Sequence, residues 1–384
     1  MQTLPKVLVV KPEVIEKRHP WLFSEAVEPL EKIEEGQRVV VLGPDRHPIA
    51  MGHYHHGTIR VKIFHWGTPV EVNENFWFEK LRRSYKRRIL LNIPHHTNAF
   101  RIVHGEADMF PGLTMDYYNG VVSMAVYSEG MWQEVTLIAS AIKKVLDNRV
   151  KAIYVRRHTG RETISQLIEG NAENPIMCEE NDIKFLVDWK HGQKTGHFLD
   201  QRDNRLFVRR YARGKVLDLF SYSGGFSLNA LKGKAQSVTI VDSSERALEL
   251  AKENIKLNFN NANVEFIKQD VFDFLKETNE RWDTIICDPP AFTKHVRTLP
   301  QAVRAYTKLN RQVISKLNNT GFLFTFSCSQ VVVPELFRKI VFWATQQANR
   351  NTTIVHHLHQ AADHPESVFH PEGLYLKGIM GIVE

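Results

Sequence analysis

The rhythm of hydrophobic and polar positions changes twice along the chain. Residues 1–72 show short apolar and β-branched runs between turn signals such as Gly43-Pro44-Asp45, which predicts a small β-rich unit. Over residues 73–190, the runs VVSMAVYS, KAIYVRR and IKFLVDW flank a helical pattern near Gln133 to Asp147. This mixture predicts an α+β unit in the middle of the chain.

From Val216 onward, strand and helix patterns alternate regularly. The strands read KVLDLF, SVTIVD, VEFIKQD, WDTIICD and GFLFTFSCS, and TTIVHHL and LYLKGIMGIV would complete the sheet. Such nearly continuous apolar runs are expected when helices cover both faces of a parallel sheet. The pattern predicts an α/β fold, with a Rossmann-like doubly wound domain over residues 191–384. A β-rich domain (1–72) and a central α+β domain (73–190) precede it.

The segment NENFWFEKLRRSYKRRILLN predicts a basic amphipathic helix. Leu81, Tyr85 and Ile89 recur at four-residue intervals and predict its apolar face. The rest of the helix carries the cations Lys80, Arg82, Arg83, Lys86, Arg87 and Arg88. Such a cluster is either a solvated face or a surface for a polyanion. For the second interpretation, the candidate substrate contacts are Arg82, Arg83 and Arg87.

Composition narrows the class of protein. An apolar content of 43% with 24% charged residues predicts a folded globular chain, and the net charge of +7 is compatible with a polyanionic partner. No apolar stretch approaches about 18 residues, so we expect a cytoplasmic protein without a membrane partner. Cys178, Cys287 and Cys328 lack C-x-x-C spacing, which predicts free thiols and no metal site.

The stretch VLDLFSYSGGFSLNA, from Val216 to Ala230, reads as a strand, a glycine turn and a helix. Gly224 and Gly225 would allow a tight turn and close approach of the backbone to a ligand. Asp242 ends the next strand, where its carboxylate can accept hydrogen bonds from both ribose hydroxyls. Asp270 ends the strand after that and would contact an adenine edge. Each residue alone could be a plain cap, but their order at successive strand ends favours a nucleotide site.

The glycine turn also indicates which nucleotide it holds. It lacks the third glycine of the G-x-G-x-x-G motif, which gives room for a pyrophosphate. An adenosyl ligand without phosphates fits better, because Asp218 can then meet a cationic amino-acid end. The sequence therefore predicts S-adenosylmethionine as the cofactor.

Two later strand ends indicate what is methylated. Asp288-Pro-Pro-Ala-Phe follows TIIC, and Ser-Cys-Ser follows FLFTF. Carbon 5 of cytosine is a weak nucleophile, so a thiolate must first add to carbon 6, and Cys328 is the candidate for this role. Asp288 would donate or share a proton at N3 of the cytosine. Phe292 is either a base-stacking residue or a core aromatic, and alternation predicts that Cys287 faces the sheet packing.

The polar segment HGQKTGHFLDQRDNRLF, residues 191–207, precedes the alternating part. It could fold over a cofactor or form a solvated linker. On the first interpretation, this segment contributes the candidate cofactor-binding residues Lys194, Phe198, Asp200, Gln201 and Arg202. The other candidates for cofactor binding are Asp218, Phe220, Ser223, Gly224, Asp242, Ser243, Asp270 and Asp288.

Together these motifs resemble those of the bacterial 23S rRNA (cytosine-5)-methyltransferases with an N-terminal PUA domain. HPWLFSEAVE, at 19–28, is similar to the RNA-binding PUA unit, and RIVHGEADMFPGLTMDYYNG, at 101–120, is similar to the start of the family's central domain. GQKTGHFLDQRDNR, VLDLFSYSGGFSLNA, DPPAF and SCS resemble the cofactor segment, the first methyltransferase motif, the acid motif and the nucleophile motif.

The resemblance implies roles for individual residues. By it, Cys328 is the nucleophile, Asp288 is the acid, and the S-adenosylmethionine pocket is lined by Asp218, Gly224, Asp242 and Asp270. It also implies ribosomal RNA as the partner, and we expect a single-stranded or looped region because its bases can be splayed out. The chain departs from the family pattern at His197, where an aromatic is expected, and Pro290-Ala291 stands where some RNA cytosine methyltransferases have a second cysteine.

Two other functions stay open at this point. Methylation of an exocyclic base amine needs no thiol, because the amine attacks the methyl group directly. A non-catalytic RNA-binding factor of ribosome assembly would bind the cofactor without turnover. The sequence also leaves the oligomeric state open, with a homodimer as one candidate.

Overall fold

The computed structural model describes residues 4–160 and 162–384, so the first three residues of the predicted β-rich domain lie outside it. The chain forms two compact units, each drawn from separate stretches. The first contains Met1–Cys178, Val187–His197 and Asp363–Gly373, and the second contains Glu179–Leu186, Phe198–Ala362 and Leu374–Glu384. The domain limits at residues 72 and 190 stay a prediction.

The first unit begins with a six-stranded sheet in the order β2-β6-β5-β4-β1-β3. Its elements are β1 (Lys6–Val9), α1 (Glu13–Lys17), β2 (Trp21–Phe23), β3 (Val27–Pro29), β4 (Arg38–Leu42), β5 (Pro48–Tyr54) and β6 (Ile59–Trp66). Alternating residues such as Val39 and Val41, or Val61 and Ile63, are fully buried and form its core.

A five-stranded sheet in the order β11-β10-β9-β8-β7 follows in the same unit. Its elements are α2 (Glu74–Leu90), β7 (Ala99–His104), β8 (Leu113–Tyr118), β9 (Val121–Val126), α3 (Glu129–Leu146), β10 (Ala152–His158) and β11 (Thr163–Gly170). The Asn73 and Ser128 side chains cap α2 and α3 by accepting from Phe76 N and Met131 N.

Helix α2 packs on the predicted face except in its last turn. Leu81 and Tyr85 are buried, but Ile89 is 46% exposed and Arg88 is only 1% exposed. Arg88 donates through Nη1 and Nη2 to the two Asp108 oxygens at 2.8 and 2.7 Å. A buried cation is tolerated when an opposite charge neutralises it with good geometry. The prediction that Ile89 faces the core and Arg88 the solvent is therefore wrong.

A two-stranded sheet, β12 (Ile176–Glu180) and β13 (Ile183–Val187), precedes the seven-stranded sheet of the second unit. The larger sheet has the order β16-β15-β14-β17-β18-β20-β19, in which β20 runs antiparallel to both of its neighbours. Its strands are β14 (Arg213–Leu219), β15 (Lys234–Asp242), β16 (Val264–Lys268), β17 (Trp282–Cys287), β18 (Leu317–Ser327), β19 (Thr352–His359) and β20 (Lys377–Val383).

Helices connect the parallel strands of this sheet. They are α5 (Gly225–Lys232), α6 (Glu245–Asn258), α7 (Val271–Glu277), α8 (Leu299–Ser315) and α9 (Pro334–Gln347), and α4 (Arg202–Tyr211) precedes the first of these strands. Apolar residues of β14, β17 and β18 pack with those of α7 and α8 in one buried cluster. The predicted Rossmann-like doubly wound architecture is confirmed. Among the described helices, none has both the length and the apolar character needed to cross a bilayer.

Candidate active site

The candidate site lies at one edge of the seven-stranded sheet. Strand β14 pairs in parallel with β15 on one side and β17 on the other, and β17 pairs in parallel with β18. Their carboxyl ends therefore meet at the same edge, and the strand order reverses beside β14. Ligands of open α/β sheets bind at this switch point. The edge carries Asp218, Asp242, Asp288 and Cys328 at or next to the strand ends.

The turn after β14 has an unusual backbone. Phe220, Tyr222 and Gly224 have positive φ angles of 60°, 49° and 76°. A left-handed backbone is uncommon for residues other than glycine and is found most often at functional sites. Asn254 Nδ2 donates to Ser223 O at 3.0 Å and holds the turn. A Cβ on Gly224 would lie 3.2 Å from Ala251 Cβ, so this glycine also permits close packing against α6.

Asp218 is fully buried at the end of β14. Its Oδ2 accepts from Ser227 N at 3.1 Å and Ser227 Oγ at 2.6 Å. Burial raises the pKa of this carboxyl to about 7, and the Asp242 charge adds to the effect. Within the described chain, Asp218 Oδ1 has no hydrogen-bond partner. A buried acceptor left in this state is costly, so a donor group of a ligand would be stabilised here.

Asp242 and Asp270, at the next two strand ends, differ in their capacity to accept further hydrogen bonds. Asp242 accepts from Tyr222 N and Ser244 N, each at 2.9 Å, through different oxygens. Each carboxylate oxygen can accept a second bond, so Asp242 retains capacity for ribose hydroxyls. Asp270 caps α7, with Oδ1 accepting from Phe272 N at 2.8 Å. It is exposed, as is Ser243, and its adenine contact stays a prediction.

The polar segment before β14 is ordered in its second half. The Phe198 ring lies 5.2 Å from the Tyr222 ring, edge to face, and therefore packs against the turn after β14. Arg205 donates to both Glu180 oxygens at 2.7 Å and to Phe198 O at 2.8 Å. These bonds fix the chain where α4 begins, so this half is not a solvated linker.

The predicted cofactor residues in this segment are mostly buried. Asp200 accepts from Tyr375 Oη at 2.7 Å, Gln201 Oε1 accepts from Asn204 Nδ2 at 2.6 Å, and Arg202 is 4% exposed. Lys194 belongs to the first unit and is exposed, with a positive φ of 52°. Cofactor contacts by these residues stay a prediction.

The loops after β17 and β18 are bonded to each other. Asp288 directly follows β17, Cys328 directly follows β18, and both side chains are half-buried. Ser329 Oγ donates to Thr293 O at 2.7 Å and joins the two loops. The Tyr306 hydroxyl interacts electrostatically with both predicted catalytic groups: burial raises its pKa to about 12, and Cys328 and Asp288 both add to the rise. The structure therefore brings Asp288 and Cys328 together.

Lys377 is a member of this cluster that the sequence analysis missed. It begins β20 and pairs with Ser327 across the antiparallel ladder, beside Cys328. Its Nζ donates to Ser329 O at 2.5 Å and to Tyr375 O at 2.7 Å, and the residue is 5% exposed. Burial lowers the Lys377 pKa to about 8, and Cys328 opposes this shift. A lone lysine in the apolar run LYLKGIMGIV was the available signal.

Cys287 and Phe292 lie beside the predicted catalytic pair and differ from each other in burial. Cys287 is fully buried, as alternation predicts, and burial raises its pKa well above the ordinary value. Such a thiol is inert. Phe292 is half-buried, with ring centroids 4.5 Å from Tyr306 and 6.1 Å from Phe272. This packing favours the core interpretation of Phe292, and base stacking stays a prediction.

The cations of α2 are neutralised in part within the first unit. Arg82 binds Glu79 at 2.7 Å, and Arg87 binds Asp108 at 2.5 Å. Lys80 Nζ donates to Phe64 O at 2.7 Å, and burial lowers its pKa to about 7. Arg83 is exposed. The helix is therefore less positive than its sequence indicates.

Known proteins share these motifs over nearly the whole chain. Residues 100–370 match the family described as S-adenosylmethionine-dependent methyltransferase, and residues 11–66 match the PUA-like domain. A protein of Escherichia coli O139:H28 named ribosomal RNA large subunit methyltransferase I is 36% identical over 376 residues, which is 94% of each chain. A protein with the same name from Shigella boydii serotype 18 is 35% identical over the same share.

Solved structures share the fold. A methyltransferase crystallised with SAH is 23% identical and superposes with a TM-score of 0.86, covering 98% of this chain and 99% of that one. A SAM-dependent methyltransferase from Streptococcus mutans gives a TM-score of 0.85 at 23% identity, with the same coverage.

Proposed function

We propose that this chain, which belongs to the S-adenosylmethionine-dependent methyltransferase family, methylates carbon 5 of a cytosine in large-subunit ribosomal RNA. One observation carries the proposal: Cys328 and Asp288 lie at adjacent strand ends, in loops joined by the Ser329–Thr293 bond. The relatives named ribosomal RNA large subunit methyltransferase I support the choice of substrate. The PUA-like domain over residues 11–66 is the proposed second RNA contact.

The cofactor of the family is S-adenosylmethionine, and the carboxyl edge of the sheet fits it. When bound, it supplies an electrophilic methyl group. Asp218 Oδ1 would accept from its ammonium group, which suits a buried acceptor that lacks a partner in the described chain. Asp242 would accept from the ribose hydroxyls through its remaining lone pairs. The buried Asp200, Gln201 and Arg202 would complete this side of the pocket.

Cys328 and Asp288 have different roles in the proposed reaction on the cytosine. The Cys328 thiolate adds to carbon 6, and the electron pair of the 5,6 double bond moves toward carbon 5. Asp288 shares its proton with N3 and stabilises the charge that develops on the ring. After carbon 5 has taken the methyl group, it gives its proton to a water molecule, the double bond re-forms and the sulfur leaves carbon 6 as a thiolate, while N3 returns its proton to Asp288. The Cys287 sulfur does not accept the carbon 5 proton, because it is fully buried.

Lys377 is the proposed positioning residue for the nucleophile. An ammonium beside a thiol favours the thiolate form. Two of the three Lys377 N–H groups are used by Ser329 O and Tyr375 O, which fixes Nζ next to Cys328. The proposal assigns the third N–H group to the Cys328 sulfur.

The base must leave its stack to reach a pocket at the edge of the sheet, so a single-stranded or looped segment is the proposed substrate form. The proposed place of action is the cytoplasm, and a homodimer stays a prediction.

The test compares the wild-type protein with Cys328→Ala and Cys287→Ala, each with methyl-labelled S-adenosylmethionine and unmodified 23S rRNA. Nucleoside mass spectrometry should find labelled 5-methylcytidine with the wild type and Cys287→Ala, and none with Cys328→Ala. A methylated exocyclic amine that persists in Cys328→Ala would contradict the proposal and favour amine methylation. Bound but unlabelled RNA with the wild type would favour the assembly factor.

A further inference from the structure

Positive charge is concentrated between the two catalytic loops. Between Pro289 and Pro334 the sequence contains no Asp or Glu, whereas the net charge of the whole chain is only +7. The Lys and Arg residues of this segment are Lys294, Arg297, Arg304, Lys308, Arg311 and Lys316. The segment begins just after Asp288 and includes Cys328. An unbalanced charge of this density attracts polyanions.

Three of these cations line an open groove between α8 and α9. Arg304, Lys308 and Arg311 are exposed and recur at intervals of four and three residues, which places them on one side of α8. The groove has a volume of about 410 Å³, and Trp343 and Gln347 of α9 line its other side. From Arg304 to Arg311 the helix rises about 10 Å, at 1.5 Å per residue. We call this site the α8–α9 groove.

Trp343 gives the groove a second property. It is 37% exposed although it is a large apolar residue, and it lies in the same lining as the cations. Of the residues that the structure describes, none with an acidic side chain contributes to that lining. Lys308 Nζ lies 5.5 Å from the Phe272 ring centroid, so one of the cations is also held by an aromatic face. Cations along the backbone path, with an aromatic surface for bases, are the two elements of a single-strand binding groove.

We propose that the α8–α9 groove binds single-stranded RNA, with backbone phosphates at Arg304, Lys308 and Arg311 and a base against Trp343. The inference rests on the proposed function for RNA as the substrate, and it adds the surface that holds the strand. The groove recognises the backbone and any base, so it contributes affinity and not sequence selection.

The charge part of the proposal is tested with the triple variant Arg304→Gln, Lys308→Gln and Arg311→Gln in the full chain. Fluorescence anisotropy would follow a fluorescein-labelled single-stranded oligoribonucleotide of mixed sequence over a salt series. Each phosphate contact contributes about 0.7 to the slope of log affinity against log salt, so the slope should fall by about 2. With 23S rRNA as substrate, KM should rise and kcat should stay unchanged.

A matched control removes the same charge elsewhere in the second unit. Lys232, Lys252 and Lys256 are exposed, and Lys252 Nζ lies 5.5 Å from the Phe266 ring centroid, as Lys308 does from Phe272. Their triple replacement by Gln should keep the wild-type slope. The charge-keeping triple Arg304→Lys, Lys308→Arg and Arg311→Lys should keep it too. An equal fall of the salt slope in the Lys232, Lys252 and Lys256 variant would overturn the proposal, because the loss of net charge alone would then explain the lower slope.

The stacking part is tested with Trp343→Ala and Trp343→Phe. Loss of a base-stacking ring should weaken binding on the order of tenfold without changing the salt slope, and Trp343→Phe should keep most of the affinity. Unchanged affinity in Trp343→Ala, or an unchanged slope in the α8 triple variant, would overturn the groove as an RNA site. Binding needs no methyl transfer, so a failure of the cytosine chemistry would appear only in the nucleoside analysis.

Discussion

At the carboxyl edge of the seven-stranded sheet, one aspartate and one cysteine are fully buried, whereas a second aspartate and a second cysteine are half-buried. We call the first pair the buried layer and the second pair the open layer. Asp218 and Cys287 are fully buried within the last positions of β14 and β17. Asp242 ends β15 and Cys328 follows β18, and both are half-buried. Burial raises the pKa of both groups in the buried layer and so favours their neutral forms. A difference of one position relative to the strand end therefore separates a fully buried acid or thiol from a half-buried one.

The sharpest test of the comparison is removal of the open thiol. Cys328→Ala should lower the rate of 5-methylcytidine formation by at least about 10³-fold, because carbon 6 then has no nucleophile. Tritium release from carbon 5 of labelled RNA measures this rate. RNA affinity and the circular dichroism spectrum should match the wild type. A loss below tenfold would remove Cys328 from the mechanism.

Lys377→Met should have the next largest effect, because it removes the cation beside Cys328 and keeps the side-chain volume. We expect kcat at pH 7 to fall about 10- to 100-fold, and the alkylation profile of Cys328 with iodoacetamide to move upward by about one pH unit or more. Lys377→Arg should restore the profile in part. A lower kcat with an unmoved alkylation profile would assign Lys377 a structural role only.

Asp218→Asn tests the buried layer through the pH dependence of the free energy of unfolding. The folded protein keeps the Asp218 proton up to a pKa of about 7, whereas the ordinary value is 3.8. Between these values the folded state binds more protons than the unfolded state, so the free energy of unfolding should fall as pH rises, by at most about 1.4 kcal/mol per pH unit.

Urea unfolding at pH 5, 6 and 7 measures that slope. This slope should be shallower in Asp218→Asn. The control Asp270→Asn, which removes an exposed carboxylate from the same edge of the sheet and keeps an N-cap side chain, should keep the wild-type slope. Equal slopes in the wild type and Asp218→Asn would mean that Asp218 is ionised in the folded protein.

The smallest effect is expected for Cys287→Ala. Removing one buried sulfur should lower the free energy of unfolding by about 0.5–1 kcal/mol and change kcat less than about twofold. In the wild type, iodoacetamide should label Cys328 in the folded protein and Cys287 only after unfolding, as peptide mass spectrometry can measure. Labelling of Cys287 at the Cys328 rate would erase the distinction between the layers.

The sequence predicted the doubly wound sheet because its apolar strands and their order are local patterns. It also marked Asp288 and Cys328, since both directly follow apolar runs. It missed Lys377, whose place beside Cys328 depends on antiparallel pairing between strands far apart in the chain.

The exposure of Ile89 and the burial of Arg88 were predicted wrongly for the same kind of reason. A prediction from helical periodicity assigns side chains to the core or to the solvent by their polarity alone. It takes no account of an ion-pair partner from another part of the chain. Asp108 is such a partner, and its two oxygens bind Arg88 in the interior.

The position of β20 has a consequence for folding. It lies between β18 and β19, although both precede it in the chain. These two strands can join one sheet only after β20 has entered the gap, so their pairing is non-local and is expected to form late. Lys377 reaches Cys328 in that same step. A partly folded chain would therefore hold an ordinary cysteine, and the protein would acquire a reactive sulfur only when its sheet closes.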